Sequence, residues 1–291
     1  MILTCFKKGK VMKRFVFIIM VISVLGGITT AAKSEPNSPS LKRRDAKKLI
    51  ASLARNRQHS HVIEEGTKQL LRTDLKSEEK AYIRLQMAKS YEALPSQGRL
   101  AKEKYGEILE LHPEYHQNVK VAYRLAELND SVTLHGTTPN TQQAMDCYRY
   151  VIDHRPERGM QYETLKAHRC LGNLFLGQKK YEEARKHFEV IYNCRPEMLR
   201  IVPDEDLKHP EDIAEKKAWI LERLKIMKAD MPKSIVHTCI HSSPKESLKA
   251  LQTLMRTYAS DPKITMVAKS VYEQETARLN DLMKTMSDSE D

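Results

Sequence analysis

Residues 165–196 read LKAHRCLGNLFLGQKKYEEARKHFEVIYNCRP, and this stretch restricts the fold more than any other. Leu171 and Phe175 lie one helical turn apart, as do Ala184 and Phe188. Each half therefore carries an apolar stripe that needs a partner. Gly177-Gln178-Lys179-Lys180 lies between the halves and reads as a turn, so the pattern predicts two short antiparallel helices. Gly172 and Ala184 are the small residues; small side chains at a crossing let two helix backbones approach closely. Pro196 stops the second helix because it offers no amide hydrogen and disfavours helical geometry in the residue before it.

The order of these residues resembles the tetratricopeptide repeat (TPR). Counting from Leu165, the family's Leu, Gly, Tyr, Ala, Phe and Pro positions fall on Leu171, Gly172, Phe175, Ala184, Phe188 and Pro196, and only His168, at the family's aromatic position, departs. In residues 81–113 the matching positions are Met87, Ala88, Tyr91, Ala101, Tyr105 and Pro113, with one extra residue in the Pro95-Ser96-Gln97-Gly98 turn. A third copy has Leu125, Ala126, Ala144, Tyr148 and Pro156, with about six extra residues between its helices. The prolines at 113, 156 and 196 are spaced by 43 and 40 residues, looser than the family's period of about 34. Upstream, AKKLIASLARNRQ and VIEEGTKQLLRT read as two more helices, with Leu53-Ala54, Gly66 and Leu70 a worn copy of the pattern. The clear resemblance covers residues 81–197. It implies an all-α fold, a right-handed solenoid of antiparallel helix pairs forming a TPR-like superhelix.

The first 32 residues stand apart. Lys7, Lys8, Lys10, Lys13 and Arg14 precede an uncharged run over 15–32 that ends in small residues, Thr30 and Ala32, and no acidic residue occurs. A basic leader, an apolar segment and small residues make up an export signal, with cleavage expected after Ala32. The alternative is a retained N-terminal membrane anchor, since 18 uncharged residues sit at the lower edge of what spans a bilayer. Either arrangement places the rest of the chain outside the cytoplasm, periplasmic or extracellular. Without the five leader cations the charge excess falls from +11 to +6. A mild basic balance spread over helix surfaces is a solvated face, so nucleic-acid binding is not expected.

Residues 33–44, KSEPNSPSLKRR, suit a flexible linker, and residues 45–197 hold the repeats. Beyond Pro196 the repeat pattern fades, but amphipathic runs continue over 211–229, 244–258 and 262–286, bounded by prolines at 210, 232, 244 and 262. Ala250, Leu254 and Pro262 repeat the spacing of a second helix. Residues 198–291 are thus read as a C-terminal extension whose helices continue and cap the array, because an end repeat must cover the flank its neighbour leaves open. The last five residues, SDSED, read as a frayed acidic end.

In the family, outward positions of each first helix line a concave groove that in several members grips a peptide. By that alignment the candidate groove residues are Tyr82, Lys89, Lys120, Tyr123, Glu127, Lys166, Arg169 and Asn173. Arg169 and Asn173, one turn apart, resemble the basic residue and Asn with which some repeats hold a terminal carboxylate. Neighbouring repeats carry Leu85 and Lys89, or Tyr123 and Glu127, at those positions, so the full clamp is absent.

No metal or cofactor is expected. His237, Cys239 and His241 alternate as ligands on an extended strand would, but a fourth ligand is missing nearby and the stretch reads as a loop between helices. After export Cys147, Cys170, Cys194 and Cys239 would remain. Cys147 and Cys170, on consecutive helices, are the best candidates for a disulfide; the alternative is four buried thiols acting as small apolar groups. GxSxG, HExxH, GxxxxGK and GxGxxG are all missing from the sequence.

These readings lead to a non-catalytic exported scaffold or adaptor that binds proteins or peptides. A second possibility is a structural subunit of a cell-envelope assembly machinery docked through its C-terminal helices. A third, a helical hydrolase or lytic enzyme with a solenoid, has no catalytic signal behind it.

Overall fold

The computed structural model of the protein describes residues 43–130, 138–154, 161–200 and 210–287. The predicted leader, its cleavage point, Pro156 and the end of the acidic tail lie outside these residues. The described residues form an all-α protein of eleven helices in one compact unit beginning at Arg43. In chain order the helices are α1 (Arg43–Arg55), α2 (His59–Leu70), α3 (Ser77–Ala93), α4 (Gly98–Leu111), α5 (Asn118–Asp130), α6 (Thr141–Asp153), α7 (Tyr162–Gly177), α8 (Tyr181–Asn193), α9 (Pro210–His237), α10 (Pro244–Thr257) and α11 (Pro262–Ser287). A single 3₁₀ turn, Pro196–Met198, follows α8.

Each helix packs on its neighbour in sequence through α8, giving the pairs α1–α2, α3–α4, α5–α6 and α7–α8, each joined to the next pair. Beyond α8, helix α9 packs on α8 and α11, and α10 on α11. Alternate helices also touch, α1 with α3 and α5 with α7. The periodicity that predicts the α7–α8 hairpin is the periodicity that is buried: Leu165, His168, Leu171, Gly172 and Phe175 face inward from α7, and Ala184, Phe188 and Ile191 from α8. Phe188 is fully buried, which contributes roughly 1.5–3 kcal/mol. Its ring lies over Gly172 so closely that a Cβ there would come within 2.5 Å of Cε1. The crossing inferred from Gly172 and Ala184 is therefore a real close approach. Gly66 has the same role between α2 and α3, where a Cβ would meet the Met87 side chain at 2.7 Å.

Caps and turns set the pair ends. Asn140 Oδ1 accepts from Gln143 N at 3.0 Å and starts α6, and Asp261 Oδ1 accepts from the amides of Lys263 and Ile264 and starts α11. At the end of α7, Lys180 N donates to Phe175 O and Lys179 N to Leu176 O. This paired closure places Lys179 in the left-handed region, φ 59°. Arg57, between α1 and α2, and Ser96, between α3 and α4, take the same conformation.

One predicted boundary is displaced. Pro232 was expected to bound a helix ending near Ala229, whereas α9 runs through it to His237. A proline inside a helix loses one backbone hydrogen bond. Met231, Ile235 and Val236 around it are buried in the core, and that burial outweighs the lost bond. The same core cluster contains Phe188 and Ile191 of α8, Leu224 and Met227 of α9, Leu251 and Leu254 of α10, and Ile264 and Ala268 of α11. The C-terminal helices thus share a core with the α7–α8 hairpin. Polar ties reinforce it: Tyr192 donates to Asp261 at 2.6 Å, Tyr258 to Glu189, Lys228 Nζ to the Cys194 carbonyl at 2.8 Å, and Arg185 Nε to Thr238 at 3.1 Å.

Candidate functional site

The inward faces of α3, α5 and α7 are apolar and packed against their partner helices, so their other faces are left to converge on shared space. Between them lies an open cavity of about 390 Å³, within the range that holds a peptide side chain or small ligand. Six of the eight residues proposed for a groove line it: Tyr82 and Lys89 from α3, Lys120, Tyr123 and Glu127 from α5, and Lys166 from α7. They come from the alternate helices α3, α5 and α7.

Arg124 organises the centre. Its guanidinium reaches back 32 residues to Glu92 on α3, with Nε at 3.0 and 2.9 Å from the two carboxylate oxygens and Nη2 at 2.6 Å from Oε2. Nη1 donates to Glu127 at 2.9 Å. The Glu92 bond, then the Glu127 bond, hold the Arg124 cation more firmly than usual. Lys166 approaches Glu127 at 3.7 Å and stands 4.0 Å above the Tyr123 ring, a cation–π contact linking α7 to α5. Burial, with Glu92 beside it, pushes the Tyr105 hydroxyl far above its ordinary range, and burial with Cys170 and Glu127 does the same for Tyr123. Both phenols stay neutral and can donate a hydrogen bond. Lys89 is exposed and has no carboxylate partner among the described residues.

Arg169 and Asn173 lie outside the cavity wall. Arg169 Nη2 sits 3.8 Å from Asp230 of α9, and Asn173 is exposed. The two residues suggested as a carboxylate clamp therefore do not line the cavity with the other six, although they share the Lys166 face of α7: Arg169 pairs with α9. Glu92, Tyr105 and Arg124 are among the wall residues missed from sequence. Lys120, Arg124 and Glu127 do form an i, i+4, i+7 stripe, a signal that could have drawn Arg124 in. Tyr105 gave no such signal, since its place on the second helix reads as core.

The remaining candidates are dispersed. His237 is exposed, Cys239 is buried with Arg185 Nη2 3.4 Å from its sulfur, and His241 meets the edge of Tyr181. No cluster of three or more potential metal ligands occurs among the described residues. The suggested Cys147–Cys170 bond is not formed: all four described cysteines are free. Burial pushes the Cys147 thiol up to about 12 and raises Cys170 as well, so both are protonated and poor nucleophiles. His168, the residue at odds with the repeat pattern, is buried, its Nδ1 2.8 Å from His187 Nδ1. Among the described residues no helix is long and apolar enough to cross a membrane.

No protein-family model matches the chain, and comparison with curated proteins finds no match.

Proposed function

We propose that this chain is an exported, non-catalytic scaffold of tetratricopeptide-repeat type, a right-handed solenoid that binds a protein or peptide partner in its concave face. The observation that carries the reading is the convergence of Tyr82, Lys89, Lys120, Tyr123, Glu127 and Lys166 on one cavity between alternate helices. The chemistry of that cavity is recognition chemistry. Its one guanidinium is held by two carboxylates, its phenols are neutral, and its rings and lysines offer stacking, hydrogen bonds and charge to a peptide. The leader over residues 1–32 supports export, with the anchored form as the alternative.

The test is capture of partners by crosslinking in the native cell, comparing the wild-type chain with Lys89→Glu/Lys120→Glu and with Lys186→Glu, an exposed control on α8. Loss of the captured partner with the cavity pair alone is the expected result. Equal capture by all three proteins would remove the cavity from the account. Intact-mass measurement of the exported protein should also show an amino terminus near Lys33, whereas full-length chain in the cytosol would end the export reading.

One observation favours a second reading, a structural subunit of an envelope assembly docked through its C-terminal helices. At the end of α11, Leu282, Met283 and Met286 are exposed on one helical stripe with Leu279. A stable complex of fixed composition that survives the cavity substitutions and is lost with Leu282→Glu/Met286→Glu would select it.

A further inference from the structure

The only tryptophan of the chain, Trp219, lies on α9 with 44% of its surface exposed. Burying an aromatic ring is favourable, so an open one beside a binding cavity invites a ligand surface. Its edge meets Tyr162 in the first turn of α7, ring centres 5.3 Å apart at 74°. Two cations on the same helix flank it, Lys216 Nζ at 5.2 Å and the Arg223 guanidinium carbon at 5.3 Å from the ring centre. The ridge continues into the cavity, because Lys166 stands 5.6 Å from the Tyr162 ring and 4.0 Å from that of Tyr123. Aromatic rings and cations thus alternate from α5 across α7 to α9.

The charges decide what such a ridge accepts. Other cations nearby already have carboxylates: Arg124 has Glu92 and Glu127, Arg169 has Asp230, and Lys225 has Glu222 at 3.9 Å. Lys216 and Arg223 form no ion pair with a carboxylate among the described residues; both stand against the indole ring, and Arg223 also lies near Tyr162. A carboxylate from outside can pair with either without breaking an ion pair, and with Arg223 it can do so through two parallel hydrogen bonds. The interspersed Glu163, Glu222 and Asp230 disfavour a uniform polyanion such as nucleic acid or an anionic membrane, while a short segment can place its carboxylates between them.

We infer that Trp219, Tyr162, Lys216 and Arg223 form a docking ridge for an acidic peptide segment that carries a bulky apolar side chain, the apolar group against the indole and the flanking carboxylates on the two cations. This rests on the proposed peptide-binding role and extends it from the cavity to α9.

Because Trp219 is the sole tryptophan, its emission reports on the ridge alone. The full chain is titrated with a short peptide of central Phe flanked by Glu, and with the same peptide carrying Lys for Glu. The Glu peptide should give a saturable emission change that weakens with added salt, and the Lys peptide none. Anisotropy of the labelled Glu peptide should show affinity about tenfold lower or worse for Lys216→Glu/Arg223→Glu, with Lys249→Glu on α10 unchanged. Trp219→Ala should weaken the same binding. Affinity that survives the double charge reversal, equal binding of the Lys peptide, or preferential binding of anionic vesicles or single-stranded nucleic acid overturns the ridge. If neither peptide binds while native partner capture still depends on Lys89 and Lys120, the ridge fails and the cavity reading stands. If capture ignores Lys89 and Lys120 while the Glu peptide binds through Lys216 and Arg223, the cavity reading fails alone.

Discussion

Lys179 holds a left-handed backbone, φ 59°, that costs a residue with a Cβ about 1–2 kcal/mol. Glycine adopts it freely. Lys179→Gly should therefore stabilise the α7–α8 hairpin by about 1 kcal/mol, read as a higher denaturant midpoint at unchanged slope. Gly172 poses the opposite demand, since no room exists for a Cβ against the buried Phe188 ring. Gly172→Ala should cost about 1–3 kcal/mol through overpacking; an unchanged melting temperature would place the helix crossing elsewhere. His112 shows how a single bond sets a protonation state. Arg84 Nη1 donates to its Nε2 at 3.1 Å, so that nitrogen must be bare, and Nδ1–H donates to Ser77 at 2.7 Å. Burial, then Arg84 and Lys80, keep this imidazole neutral below its ordinary value.

Among the elements, α9 is the one whose length no local rule predicts. Its interior proline lacks a backbone donor, a defect worth about 3 kcal/mol against alanine in an isolated helix. Pro232 is itself buried, so replacing it forfeits some apolar contact, on the order of 0.8 kcal/mol per methylene. The balance predicts that Pro232→Ala stabilises the protein by about 1 kcal/mol, measured by chemical denaturation. A destabilised variant would show that Pro232 packing outweighs the missing hydrogen bond. The element also joins two functions of the fold: its inner face completes the core of α8, α10 and α11, and its outer face carries Trp219 and Asp230 toward α7.

Over the whole molecule, pH links separated parts of the core. His187 is held neutral by burial and then by Arg149, and His112 by burial and its neighbouring cations. Both have folded values below the ordinary 6.5, so the unfolded chain binds more protons as the solution is acidified. Their contribution is fully present above pH 6.5 and is lost as pH falls below it toward the folded values. The melting temperature should drop between pH about 7 and about 5. His112→Asn/His187→Asn should flatten that drop while lowering stability at neutral pH; an equally steep decline in the double variant would assign it to other groups.

Residues close along the chain determined most of the architecture. The four-residue apolar spacing of Leu171 and Phe175, and of Ala184 and Phe188, dictates paired helices, and Gly172 marks their close crossing, because both depend on the fixed geometry of one turn. Of the eight residues aligned as a groove, six line one cavity, while Arg169 and Asn173, at the same aligned positions, do not. What local spacing cannot encode is which distant group a flexible charged side chain meets. Arg124 spans 32 residues to Glu92, Arg169 turns to Asp230, and Pro232 stays helical because Ile235 and Val236 find a core. Those outcomes depend on how helices dock, and docking is settled by burial summed over many residues far apart in sequence.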